Sequence, residues 1–270
     1  MANIISPQHA SSQRQAIYER LDRTLEFAEA ELRAQIPVDR ANTWDISATQ
    51  VNLTEDGEAL DFFPGYPSDS TLNVTRELAA YVSHFIEAFR EGLGPDGVGS
   101  VIRFSPLWDV VNPTTHVRQF YLYEDDFGPR NMHWQQEGRL ETDKGPPHII
   151  LFIANGMVAR NDTLTTGELM MRLQALMIRY EEPAFVGHDT LPLLIMSYVG
   201  PKHGRILQAH HDGERLVIQF SPIMSFVSED VASATAEFFT RYAASTPEGT
   251  TGLLHAEIAI RESFTRPRIH

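Results

Sequence analysis

The chain has 270 residues, 42% of them hydrophobic, no cysteine, and a net charge of −14 with a pI near 5.2. That length and apolar fraction fit one globular domain with a sizeable core. The missing cysteines exclude disulfides, cysteine nucleophiles, iron–sulfur clusters and Cys-type zinc sites, and the acidic balance argues against a nucleic-acid backbone as partner, because phosphate binding needs clustered cations.

Residues 1–11 read as a loose tail, without the basic start and apolar run of a signal peptide. No run approaches the 18 or so apolar residues that span a bilayer, so a cytoplasmic protein that does not enter the membrane is expected. Ser12 and Gln15 have capping-box spacing, and Ile17, Leu21, Leu25, Ala28 and Leu32 recur at helical spacing. These signals predict a helix over 12–35, closed by Pro37. Residues 37–72 read as irregular, with Trp44 and a short strand at 51–53. A second helix is predicted over 74–91, and strands over 100–105, 117–123 and 148–154. The last, HIILFIA, is apolar throughout, as suits a strand covered on both faces. The connections 106–116 and 124–147 are long enough to be binding loops and carry Trp108 and Trp134. Thr165 and Glu168 form another capping box, opening a helix to residue 180. Strands follow over 191–199, 205–211 and 215–220, then a helix capped by Ser228 and ending near residue 244, and a final strand over 253–261.

Asp212-Gly213 is a strong hairpin signal, since a type I′ turn needs positive φ at both central positions. With those two residues as the turn, Ala209 faces Leu216, Leu207 faces Ile218 and Arg205 faces Phe220 on the apolar side. On the other side His210 faces Arg215, Gln208 faces Val217 and Ile206 faces Gln219. The preceding strand, joined through residues 200–204, adds Leu194, Met196 and Tyr198 beside this polar row. Leu, Met, Ile and Tyr around a polar row predict a half-covered wall, and ligand sites are mostly apolar with a few placed polar groups. His210, titrating near neutrality, is the candidate acid–base residue, with Gln208 and Arg215 to orient or polarise a ligand. Tyr198, Met196, Gln219, Trp108 and Trp134 are the candidate substrate-binding residues. The ordinary alternative is a solvated sheet face.

His188 and Asp189 precede the first of these strands and fall near the Asp212 end. Two imidazoles and a carboxylate there would suit zinc or non-haem iron. His210 and His211 point to opposite faces, however, so at most one of them joins any one site, and His203 lies about 23 Å from His210 along the strand. No cofactor is therefore expected, with a divalent metal ion as the alternative. There is no nucleophile elbow, P-loop or dinucleotide glycine fingerprint.

The segment LPLLIMSYVGPKHGRILQAHHDGERLVIQFSPIMSF, with the later EFFTRYAAS, resembles a module of uncharacterised proteins of filamentous fungi over about 164–245. The resemblance implies a fungal origin and a link to specialised metabolism, but no activity. A weaker, fold-level likeness is to PD-(D/E)XK nucleases, whose helix, three strands, helix, strand order matches 165–261. It implies a metal held by Glu168 and Asp212, but the third position falls at Gln219-Phe220-Ser221, without the acid and lysine of that family, and phosphoryl-transfer chemistry then lacks its cation.

The expected fold is a single α+β domain, a mixed and mostly antiparallel sheet with packed helices and a C-terminal αβββαβ module over 164–261. The expected function is an enzyme or binding protein for an apolar small molecule, of lyase, isomerase or cyclase type. The alternatives are a degenerate nuclease-like protein and a non-catalytic interaction protein.

Overall fold

A computed structural model of the chain describes residues 12–31, 33–53, 60–63, 109–110, 134–141, 146–200, 202–244 and 247–252. The helix predicted over 74–91, the strands predicted over 100–105, 117–123 and 253–261, and Trp108 lie outside these residues.

Ile17, Leu21 and Ala28 form the buried stripe of α1 (Ser12–Ala30). The helix stops short of the predicted residue 35 because Gln35–Pro37 becomes β1, whose pairing seats Ile36 fully in the core. A short α2 (Val38–Ala41) and β2 (Ile46–Gln50) follow, in a stretch that reads as irregular in sequence. The two predicted long connections hold β3 (Asp109–Val110) and β4 (Trp134–Glu141), so Trp134 stands on a strand rather than in a loop. Next come β5 (Ile149–Val158), β6 (Thr163–Thr165) and α3 (Thr166–Glu181). The capping box is present in full: Thr165 Oγ1 accepts from the Glu168 N–H, and the Glu168 carboxylate accepts from the Thr165 N–H. The chain continues through β7 (Leu193–Gly200), β8 (His203–His211), β9 (Leu216–Phe220), β10 (Met224–Ser225) and α4 (Glu229–Ala243).

Among the described residues, eight strands form one mixed sheet in the order β2-β9-β8-β7-β5-β4-β3, with β10 on β8; β1 and β6 pair separately. Two pairings in the large sheet are parallel, β2 with β9 and β5 with β7, and the rest are antiparallel. The architecture is the expected α+β one. Strands β5 and β7 are adjacent, so the chain between them, including α3, is a βαβ crossover. One sheet face, formed by Ile149, Leu151, Ile153, Ile195, Leu207 and Ile218, packs on α1 and α3. The opposite face carries Ile150, Phe152, Leu194, Met196 and Ile206 under residues 60–63, Phe226 and α4. Burial on both sides explains why 149–153 is apolar without alternation. Among the described residues, no helix is long and apolar enough to cross a membrane.

The hairpin register departs from the expected one by two residues. His210 pairs with Val217, Gln208 with Gln219, Ala209 with Ile218 and Leu207 with Phe220. Asp212 avoids positive φ, and the turn centres on Gly213, at φ +103, and Glu214. The Asp212 carboxylate accepts the N–H groups of Glu214 (2.8 Å) and Arg215 (2.7 Å), which holds the turn one position further along. The β7–β8 pairing shifts likewise, with Leu194 opposite Gln208 and Tyr198 opposite Gly204. A two-residue slip keeps every side chain on its predicted face, because the strand period is two.

Candidate functional site

The face bearing His210 is closed by the protein's own residues. Gln208 is 1% exposed and His210 8%, so the wall is buried rather than half covered. The Gln208 amide is engaged at both ends: Oε1 accepts from the Phe62 N–H (3.0 Å) and Nε2 donates to Gln219 Oε1 (2.8 Å). Phe62 lays its ring 4.7 Å from the His210 ring and 6.0 Å from that of His148. Its carbonyl accepts from the Glu248 N–H at 3.1 Å. A Cβ at Gly249 would lie 2.5 Å from the Phe62 ring, so only glycine permits this seat. Tyr198 packs against Phe226 and Phe239, and Met196 is fully buried in the same cluster. Arg215 is exposed on the turn, and the residue opposite His210 is Val217.

The predicted row is thus the anchor of segment 60–63. It leaves two imidazoles in a low-dielectric setting. Burial pushes His148 down to about 4 and lowers His210, the latter opposed by Asp61 and Asp212. Nδ1 of each ring is buried without a hydrogen-bond partner, while His148 Nε2 lies 2.8 Å from the Glu248 carbonyl and must donate to it.

The alternative metal residues do not converge. His188 Nδ1 lies 2.9 Å from Thr251 Oγ1, and its carbonyl accepts from Arg14. Asp189 is fully buried, its carbonyl accepting from the Tyr180 hydroxyl (2.6 Å). Asp212 caps the exposed hairpin turn. Glu168 binds Arg205, which stands seven residues from Asp212 on or beside the same strand, about 23 Å at 3.3 Å per residue. Gln219 points to the opposite sheet face from Glu168. Among the described residues no group of three or more His, Asp or Glu is arranged to hold a metal.

A second polar cluster lies on the other face, under the first turns of α3 and over the middle of the parallel strands β5 and β7. One cross-strand row runs Gln136, Ile153, Ser197, Arg205. Glu168, fully buried on α3, takes two bonds from Arg205, from Nε at 2.8 Å and from Nη2. Burial pushes the Glu168 carboxyl up, but Arg205, Arg172 and the Thr165 N–H outweigh it and hold it down at about 2. Arg172 follows one turn after Glu168 and is 0% exposed. None of its three guanidinium nitrogens has a hydrogen-bond partner, and burial lowers it to about 9 against the pull of Glu168. Ser197 Oγ, Trp134 Nε1 and Gln136 Oε1 are also buried without partners. Gly167 lets α3 approach closely, since a Cβ there would lie 2.7 Å from the Trp134 Cβ and 2.9 Å from Asn155 Nδ2. Asn155 Nδ2 donates to Thr165 Oγ1 at 2.6 Å, tying β5 to the helix cap.

Of the predicted residues, this cluster contains Trp134 and Glu168. Sequence reasoning missed Arg172, Ser197 and Arg205 as a group. The available signal was Arg205 itself, a cation on the apolar side of the hairpin, which requires a buried partner.

No protein-family model matches the chain, and no curated protein and no solved structure matches it.

Proposed function

We propose that this protein binds a small polar molecule between α3 and the sheet, over the middle of β5 and β7. The observation that carries the reading is the set of buried, unpartnered polar atoms: Arg172 Nε, Nη1 and Nη2, Ser197 Oγ, Trp134 Nε1 and Gln136 Oε1. Buried polar groups are nearly always paired, because each unpaired one costs about 1–3 kcal/mol, and more when charged. Several in one region mark a place where partners from outside the chain belong. The test is a screen of small polar solutes on the full chain, read by the Trp134 indole N–H resonance. At least one solute is expected to shift it saturably. If none does, and a high-resolution crystal structure shows only water bonded to these atoms, the reading falls.

A second reading keeps His210 as acid–base residue for an apolar small molecule, in an enzyme of cyclase, isomerase or dehydratase type. It is favoured by the bare Nδ1 atoms of His148 and His210 on either side of Phe62. Phe62 must then leave its seat to admit the ligand. Indole, used as an apolar probe, should perturb the His210 ring resonances in Phe62→Ala. No perturbation in that variant would sink this reading.

A further inference from the structure

We infer that the molecule held under α3 carries a carboxylate, and that Arg172 receives it. This rests on the binding reading above and adds the ligand's charge and shape. The first argument is comparison within the fold. Among the described residues, the other arginines buried beside α1 and α3 are each met. Arg14 donates to the carbonyls of Phe185, His188 and Tyr180. Arg179 donates to Glu141 and the Pro147 carbonyl, and Arg139 pairs with the same Glu141. Arg205 has Glu168 and the Arg160 carbonyl. Of these, only Arg172, equally buried, has neither a hydrogen bond nor an ion pair at any of its nitrogens.

The second argument is charge. Glu168 contributes one negative charge and Arg205 and Arg172 one positive charge each, so the trio carries a net +1 in a water-excluded site. Glu168 is already committed to Arg205 and to the Thr165 N–H. An isolated buried cation is costly, and an added anion removes that cost. The third argument is chemistry. A guanidinium offers planar paired donors that match a carboxylate. Trp134 Nε1–H is a donor only and Ser197 Oγ–H can donate, which suits the carboxylate, while Gln136 Oε1 calls for a donor elsewhere on the same molecule. The N-terminal, positive end of α3 lies on the same side.

The experiment compares sodium acetate with acetamide, its neutral counterpart of similar shape, at constant ionic strength set with sodium chloride. The full chain is followed by thermal unfolding and by the Arg172 Nε–H and Trp134 indole resonances. Acetate is expected to raise the Tm and shift both resonances saturably, while acetamide does neither. In Arg172→Met acetate binding should weaken at least about tenfold, the scale of one lost charge-assisted contact. Ser197→Ala, which keeps Arg172, should weaken it less and serves if Arg172→Met does not fold. Acetamide acting as well as acetate, or acetate acting equally on Arg172→Met, overturns the carboxylate while leaving a polar ligand site. If neither solute moves either resonance, the carboxylate is overturned, and the solute screen then decides whether any polar ligand remains.

Discussion

The trio of Glu168, Arg172 and Arg205 makes an asymmetric prediction. Glu168→Gln keeps the capping box, because a glutamine oxygen still accepts the Thr165 N–H. It removes the only negative charge of the three, so the trio passes from net +1 to +2 with both guanidiniums buried. Breaking a buried pair this way costs about 3–5 kcal/mol. Arg205→Met instead takes the trio to net zero. Glu168 loses two bonds, but Arg172 already acts on it electrostatically and is free to donate. The expected cost is about 1–3 kcal/mol, that of weakened hydrogen bonding to a buried group whose charge stays compensated. Urea unfolding at neutral pH measures both. Arg205→Met costing as much as Glu168→Gln, or more, would refute the view that Arg172 is an uncommitted cation within reach.

Arg172→Met should stabilise the free protein by about 1–4 kcal/mol, because an unpaired buried charge gives way to apolar packing; a lower urea midpoint for this variant contradicts that. Acid should destabilise the fold from below about pH 6.5. His148 and His211 are held neutral down to about 4 by burial, so the unfolded chain binds more protons between those limits. Their contribution is full above pH 6.5 and is lost as pH falls through 4, at about 1.4 kcal/mol per pH unit for each ring. His148→Gln should flatten the slope of stability against pH in that window, and an unchanged slope counts against it. Phe62→Ala should raise the His210 pKa toward its ordinary value by admitting water, as read by NMR titration. Gly204→Ala should destabilise by about 1–3 kcal/mol, since its Cβ would lie 2.8 Å from the Phe226 ring and 2.9 Å from the Ser197 carbonyl; calorimetry showing no loss would mean that both Phe226 and the β7 backbone can yield.

Local signals in this chain are legible where a short-range rule decides the outcome. The Thr165–Glu168 cap, the apolar run at 149–153 of β5 and the patterning of the two hairpin strands β8 and β9 each carry their own evidence. Faces survive the register error because a two-residue slip does not change parity. Features set by distant chain are not legible. β2 lies parallel to β9, a partner about 170 residues away, and Ile46–Gln50 has no strand signal without it. The end of α1 is set by β6, not by its own residues.

The same division explains the two polar clusters. His210 and Gln208 stand out in the sequence as polar residues in an apolar setting, but the meaning of that setting depends on what covers it. Phe62, 146 residues away from Gln208, covers it and takes up the Gln208 amide, which turns a prospective pocket wall into an anchor. Arg172 does not stand out, because a cation near the middle of an amphipathic helix reads as solvated. Its burial follows from α1 and the sheet closing over both sides of α3, a tertiary event with no local trace. Polar residues are therefore informative here after pairing rather than before it. Gln208 ends with its bonds made and is structural, whereas Arg172 ends with none and is the group whose partner is to be sought outside the chain.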